Sequence, residues 1–128
     1  QNLDSSRDRL RRITNQLNKL NVEFQRIPAV CGKHLSDDDV SNVTYPINHV
    51  ETKTRFTRAL TKGEIGCFLS HKICWQLLVE STDQRAVILE DDIEISPKAS
   101  KYLQNDKWLP ADVKLCQLNV PYDGKKGR

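Results

Sequence analysis

Apolar residues recur at Leu10, Ile13, Leu17 and Leu20, the spacing that gathers side chains on one helical face. Ser5 and Asp8 precede them at capping-box spacing, with Asp in the usual Glu or Gln place. An amphipathic helix is therefore predicted from Ser6 to Leu20. Val22 to Ile27 then alternates apolar and polar residues in the manner of a half-buried strand, closed by Pro28 and the turn residue Gly32. Ser36 and Asp39 suggest a short capped turn. Residues Ser41 to Thr57 carry no clear period and predict a long loop. Thr61 and Glu64 form a clean capping box ahead of Ile65 to Val79, a run so apolar that its helix is expected to be central and largely buried.

Ser81 to Gln84 should break that helix. Ala86-Val87-Ile88-Leu89 is a short uninterrupted apolar run, as in strands covered on both faces. Ser96-Pro97 places an N-cap before a proline, predicting a helix from Lys98 to Asn105, and Val113 to Leu118 reads as a last strand. Alternating helices and strands predict an α/β domain with a mainly parallel sheet and helices on both sides. Its expected extent is residues 1–118, with 119–128 a tail or the start of a further part.

Composition narrows the class. Hydrophobic residues make up 38% and charged residues 29% of 128 residues, which excludes disorder and an integral membrane protein. No apolar run is long enough to cross a bilayer and no signal peptide precedes the first helix, so a cytoplasmic location is expected, with at most peripheral contact at the inner membrane. The net charge of +3 is spread without a dense basic block, which argues against nucleic acid as partner. Arg7, Arg9, Arg11 and Arg12 form one basic cluster and Lys125, Lys126 and Arg128 another. Cys31, Cys67, Cys74 and Cys116 lack the paired spacing of zinc sites and are expected as buried thiols.

Candidate chemistry concentrates where the apolar run ends in Glu90-Asp91-Asp92. Ligands of open α/β sheets bind at the carboxyl ends of strands. Three adjacent carboxylates repel one another there, so a neutralising Mg²⁺ or Mn²⁺ with positions left for substrate phosphates is expected. The competing reading is a solvated turn. The opening Asn2 to Arg9 resembles the end of a first strand running into a helix, where backbone amides and an arginine could meet a phosphate. Ser70 and His71 are neighbours on a helix and cannot face each other as nucleophile and base, so both are expected as hydrogen-bonded core residues.

Leu60 to His71, which contains Gly63-Glu64-Ile65-Gly66-Cys67-Phe68-Leu69-Ser70-His71, and Val87 to Asp92 together strongly resemble glycosyltransferase family 25, which includes lipooligosaccharide and collagen galactosyltransferases. The Asn2 to Arg9 and Ala29 to Gly32 segments also look like that family. The resemblance implies a Rossmann-like GT-A type nucleotide-sugar-binding fold, C-terminally truncated. It implies metal-dependent inverting transfer from a UDP-sugar, UDP-galactose above all, to a growing glycan such as lipooligosaccharide. By that analogy Asp92 coordinates Mn²⁺ or Mg²⁺, with Glu90 and Asp91 near the metal or the ribose. Asp4, Arg7 and Arg9 would lie near the nucleotide, and Gly63, Glu64, Ser70 and His71 would shape the donor pocket. The catalytic base would lie beyond residue 128. Two other readings stand beside it: a catalytically silent nucleotide-sugar- or partner-binding module, and a Mg²⁺-binding receiver-like signalling domain, disfavoured because its acidic cluster should open the domain.

Overall fold

The computed structural model describes residues 1–44 and 59–118. Helix α1 runs Arg7–Lys19 and buries Ile13 and Leu17, members of the predicted stripe. Ser6 is its N-cap but its side chain makes no capping bond, so the expected Ser5/Asp8 box does not form. Its far end is closed more strongly. Asn21 turns to φ 52°, and the Asn21 and Val22 amides donate to the carbonyls of Asn18 and Leu17 at 3.1 Å each, the paired bonds of a Schellman motif.

Helix α2 spans Asp37–Val43 behind a complete Ser36/Asp39 capping box. The capped turn read from the sequence is thus a helix, and the expected loop begins only after it; most of that loop lies outside the described residues. Helix α3 spans Lys62–Glu80 and starts at the Thr61/Glu64 box. Both boxes are reciprocal: in the second, the Thr61 amide donates to Glu64 Oε2 at 2.8 Å and the Glu64 amide to Thr61 Oγ1 at 3.2 Å. Ser96 accepts from the Lys98 amide and opens a 3-10 turn, Pro97–Ala99, followed by the short helix α4, Ser100–Leu103. The helix expected from Lys98 to Asn105 is therefore shorter and partly 3-10.

The expected parallel sheet is absent among the described residues, which corrects the Rossmann-like, GT-A type assignment. Val22 to Ile27, Ala86 to Leu89 and Val113 to Leu118 form no ladder. What remains of pairing is one isolated parallel bridge, Asn2 to Pro28, with the Asn2 amide donating to Ile27 and the Ala29 amide to Asn2. The main-chain nitrogen of Gln1 also donates to the Leu89 carbonyl at 2.6 Å. Alternation sets which side chains could share a face, but a strand exists only where a second backbone lies within hydrogen-bonding distance along its length. Here the bridge lies outside the three expected runs, and Gln1 touches one of them only at Leu89. Val87 and Leu115 are exposed, so neither run is covered on both faces. The tail and its Lys125, Lys126, Arg128 cluster lie outside the described residues.

Helix α3 is not largely buried either. Ile65, Gly66 and Ser70 are buried, while Phe68, Trp75, Leu77 and Val79 are exposed. The buried face carries small residues because backbone packs directly on it. A Cβ on Gly66 would stand 2.8 Å from both the Gly32 nitrogen and the Val30 oxygen, so this close approach requires glycine. The Ser70 hydroxyl accepts from the Val30 amide at 2.9 Å and donates to the Gly66 carbonyl at 2.7 Å. Lys62 Nζ donates to the Leu35 carbonyl at 2.8 Å and pairs with Asp37 at 2.9 Å. These bonds fasten the strip from Ala29 to α2 along the first half of α3. The cysteines are not buried thiols: Cys67 and Cys116 are exposed, Cys31 and Cys74 intermediate. No helix among the described residues is long and apolar enough to cross a membrane.

Candidate functional site

The acidic run leaves its extended segment in a turn at Asp91 and Asp92, with Glu90 directed to α3 and the two aspartates to α1. Glu90 Oε1 lies 3.1 Å from His71 Nε2 on α3. Asp91, only 12% exposed at its side chain, accepts from Asn2 Nδ2 at 2.6 Å and faces Arg9 of α1 at 3.5 Å. Asp92, 55% exposed, also faces Arg9, at 3.7 Å. A shielded carboxylate needs donors and a countercharge, which explains why Asp91 takes the side-chain bond from Asn2 and shares the guanidinium.

Asn2 is the hinge of this corner. It is buried, donates to the Ser6 carbonyl as well as to Asp91, and accepts at Oδ1 from Arg26 Nε at 3.2 Å. Arg26 also pairs with Asp4. The expected nucleotide cluster is therefore divided. Arg9 reaches the acidic run, Asp4 is held by Arg26, and Arg7 is exposed at the start of α1. On the other side of the run, α1 anchors the following segment. Gln16 donates to the Ile93 carbonyl at 3.4 Å and accepts from the Ile95 amide at 2.7 Å.

The two family-like motifs meet at His71 and Glu90. Ser70 is the core residue the sequence predicts, but His71 is half-buried and turned toward a carboxylate, which corrects its placement in the core. Gly63 and Glu64 lie a helical turn and more away, in the α3 cap: Glu64 closes the capping box, and a Cβ on Gly63 would meet only Thr61 Oγ1 at 3.8 Å. Beside His71, the Cys67 thiol is held above its ordinary pKa by desolvation first, then by the negative charges of Glu90 and Asp92. Cys67, His71 and Glu90 each place a ligand atom within 4.8 Å of the others. Glu90, Asp91 and Asp92 do not make such a group among the described residues. Of the three, Asp92 has the most exposed carboxylate and could offer an oxygen to a hard cation, the ligand such ions take. Sequence reasoning gives Asn2 no side-chain role within the opening segment, sets Cys67 aside as a structural thiol and does not single out Arg26. The i, i+4 spacing of Cys67 and His71 was the available signal for one of them; nothing local marks the other two.

A family model described as glycosyltransferase family 25 (LPS biosynthesis protein) matches residues 1–120. A glycosyltransferase 25 family member of Aedes aegypti is 33% identical over 96 residues, covering 75% of this chain and 16% of its own. Procollagen galactosyltransferase 1-B of Xenopus laevis is 31% identical over 127 residues, covering 98% of this chain and 20% of its own. Procollagen galactosyltransferase 2 of Homo sapiens is 29% identical with the same coverage. The chain thus spans between 16% and 20% of the length of these relatives. No solved structure matches it.

Proposed function

This chain belongs to glycosyltransferase family 25, and from that premise we propose that it carries the donor side of a glycosyltransferase, with a UDP-sugar, UDP-galactose first, as donor. The observation that carries the reading is the corner where Arg9, Asn2, His71 and the acidic run converge, since it draws on the motif-bearing segments of the family. Asp92, the most exposed carboxylate of the run and among the described residues held only by a 3.7 Å approach of Arg9, is the one proposed to hold Mn²⁺ or Mg²⁺. Such an ion, when bound, supplies positive charge against the diphosphate that departs.

The chain's own residues do the rest. Arg9 lies beside Asp92 and offers a guanidinium to a phosphate oxygen, a geometry suited to bidentate contact. Asn2 holds Asp91 in place, and that anchor keeps the turn from swinging Asp92 away. His71 orients Glu90. Arg7, exposed at the start of α1, adds positive charge to the field met by an anionic donor, while the Asp4 carboxylate is offset by its pair with Arg26. The names of the Xenopus and human relatives point to procollagen as acceptor, while the family description points to lipopolysaccharide; the first is favoured because individual relatives at 29–31% identity over 127 residues carry that name.

Titration calorimetry of UDP and UDP-galactose with and without Mn²⁺ tests the reading. Metal-dependent binding should weaken by about tenfold or more in Asp92→Ala and in Arg9→Ala, as expected for loss of one charge-assisted contact. Equal affinity in Asp92→Ala, or binding indifferent to Mn²⁺, would overturn the placement of the cation.

A further inference from the structure

We propose that Cys67, His71 and Glu90 form a binding site for a borderline-soft divalent cation of the zinc class, separate in chemistry from a hard cation on Asp92. Cys67 and His71 stand four residues apart on α3, which places thiol and imidazole one above the other on the same helical face. Glu90 approaches from the end of the extended segment opposite, just before the turn. Its Oε1 is already 3.1 Å from His71 Nε2, and all three ligand atoms lie within 4.8 Å of one another. Zinc bonds to sulfur, nitrogen and oxygen span tetrahedral edges of about 3.5 Å. The gap closes by small rotations of side chains that are exposed or half-buried, with the His71–Glu90 contact giving way to bonds to the ion.

The donor set selects the ion. A thiolate and an imidazole suit Zn²⁺ or Co²⁺ and disfavour Mg²⁺ and Mn²⁺, which prefer oxygen. Three protein ligands leave a fourth position open to water. Both ligand-bearing elements are also held from behind, as good metal sites require. Ser70 ties this turn of α3 to the Val30 amide, and Asn2 ties Asp91, next to Glu90, to the base of α1. On binding, the sulfur–metal bond forms as Cys67 gives up its proton to solvent. Glu90 then serves the soft ion instead of the acidic run, linking α3 to that turn through the metal. The inference stands on these three side chains alone and does not need the donor reading.

Co²⁺ added alone to the full chain is the probe. Expected is thiolate-to-metal charge-transfer absorption with tetrahedral visible bands, displaced by Zn²⁺, and at least about tenfold weaker binding in Cys67→Ser and His71→Ala. Glu90→Gln should weaken Co²⁺ binding while keeping the thiolate band. Asp92→Ala should leave the Co²⁺ spectrum intact even where it abolishes UDP binding, which separates failure of this site from failure of the donor site. No thiolate band in the wild-type chain, an unchanged Cys67→Ser titration in a variant with wild-type circular dichroism, or loss of the band in Asp92→Ala would each overturn the assignment.

Discussion

Helices α1 and α3 invert the usual relation between hydrophobicity and burial. The first is strongly amphipathic, with charged residues around a narrow apolar stripe, and that stripe is where Ile13 and Leu17 are buried. The second is apolar nearly all round, yet its buried residues include a glycine and a serine, while Phe68, Trp75 and Val79 face outward. Phe68 and Trp75 pack on each other edge to face, ring centroids 6.1 Å apart. Burial is decided by what lies opposite. On α3 the neighbour is bare backbone, which needs small residues and a hydroxyl, not bulk.

The hardest way to break this contrast is to put a side chain where α3 has none. Gly66→Ala drives a Cβ against two backbone atoms that cannot turn aside, and should cost about 3 kcal/mol or more in denaturant unfolding. If the variant keeps wild-type stability, backbone packing is not what selects the buried face of α3.

Size matters on α1 instead. Leu17 is 2% exposed and Val79 84%. Leu17→Ala should therefore lose about 2–3 kcal/mol, while Val79→Ala should stay within about 0.5 kcal/mol. Comparable losses at the two positions, measured by the same chemical denaturation, would mean that the outward face of α3 is covered after all.

The smallest effect concerns the charged fastening of α3. The Asp39 carboxyl is held below its ordinary pKa, first by the hydrogen bond from the Ser36 side chain, and Asp37 likewise by its hydrogen bond from Lys62. A lowered folded-state pKa contributes stability that is present above the unfolded value and lost as pH falls through the folded value. Acidification into and below the carboxylate range should thus raise amide hydrogen exchange in α2 before α1. Asp39→Asn should flatten that pH dependence, and an unchanged acid profile would count against the cap.

Much of the local structure was legible. The Thr61/Glu64 box set the start of α3, and the Leu10, Ile13, Leu17, Leu20 period located α1, because caps and helical periods act within one or two turns of chain. The candidate site was legible as two motifs, the Gly63 to His71 block and Glu90-Asp91-Asp92, but not as a geometry. Asn2 and Arg26 carry no local mark of their roles, and Cys67 read as one more structural thiol.

By itself, then, the sequence determined the capping boxes of α2 and α3 though not that of α1, the approximate bounds of the long helices, the chemical content of both motifs and family membership, all of which depend on residue identity and short-range spacing. Tertiary structure alone decided that among the described residues pairing stops at one Asn2–Pro28 bridge instead of a ladder, that α3 buries Gly66 and Ser70 and not its aromatic residues, and that His71 meets Glu90 while Asn2 meets Asp91. The last two contacts join residues 19 and 89 positions apart. Contacts of that range depend on how the whole backbone closes, and no periodicity within a single element encodes them.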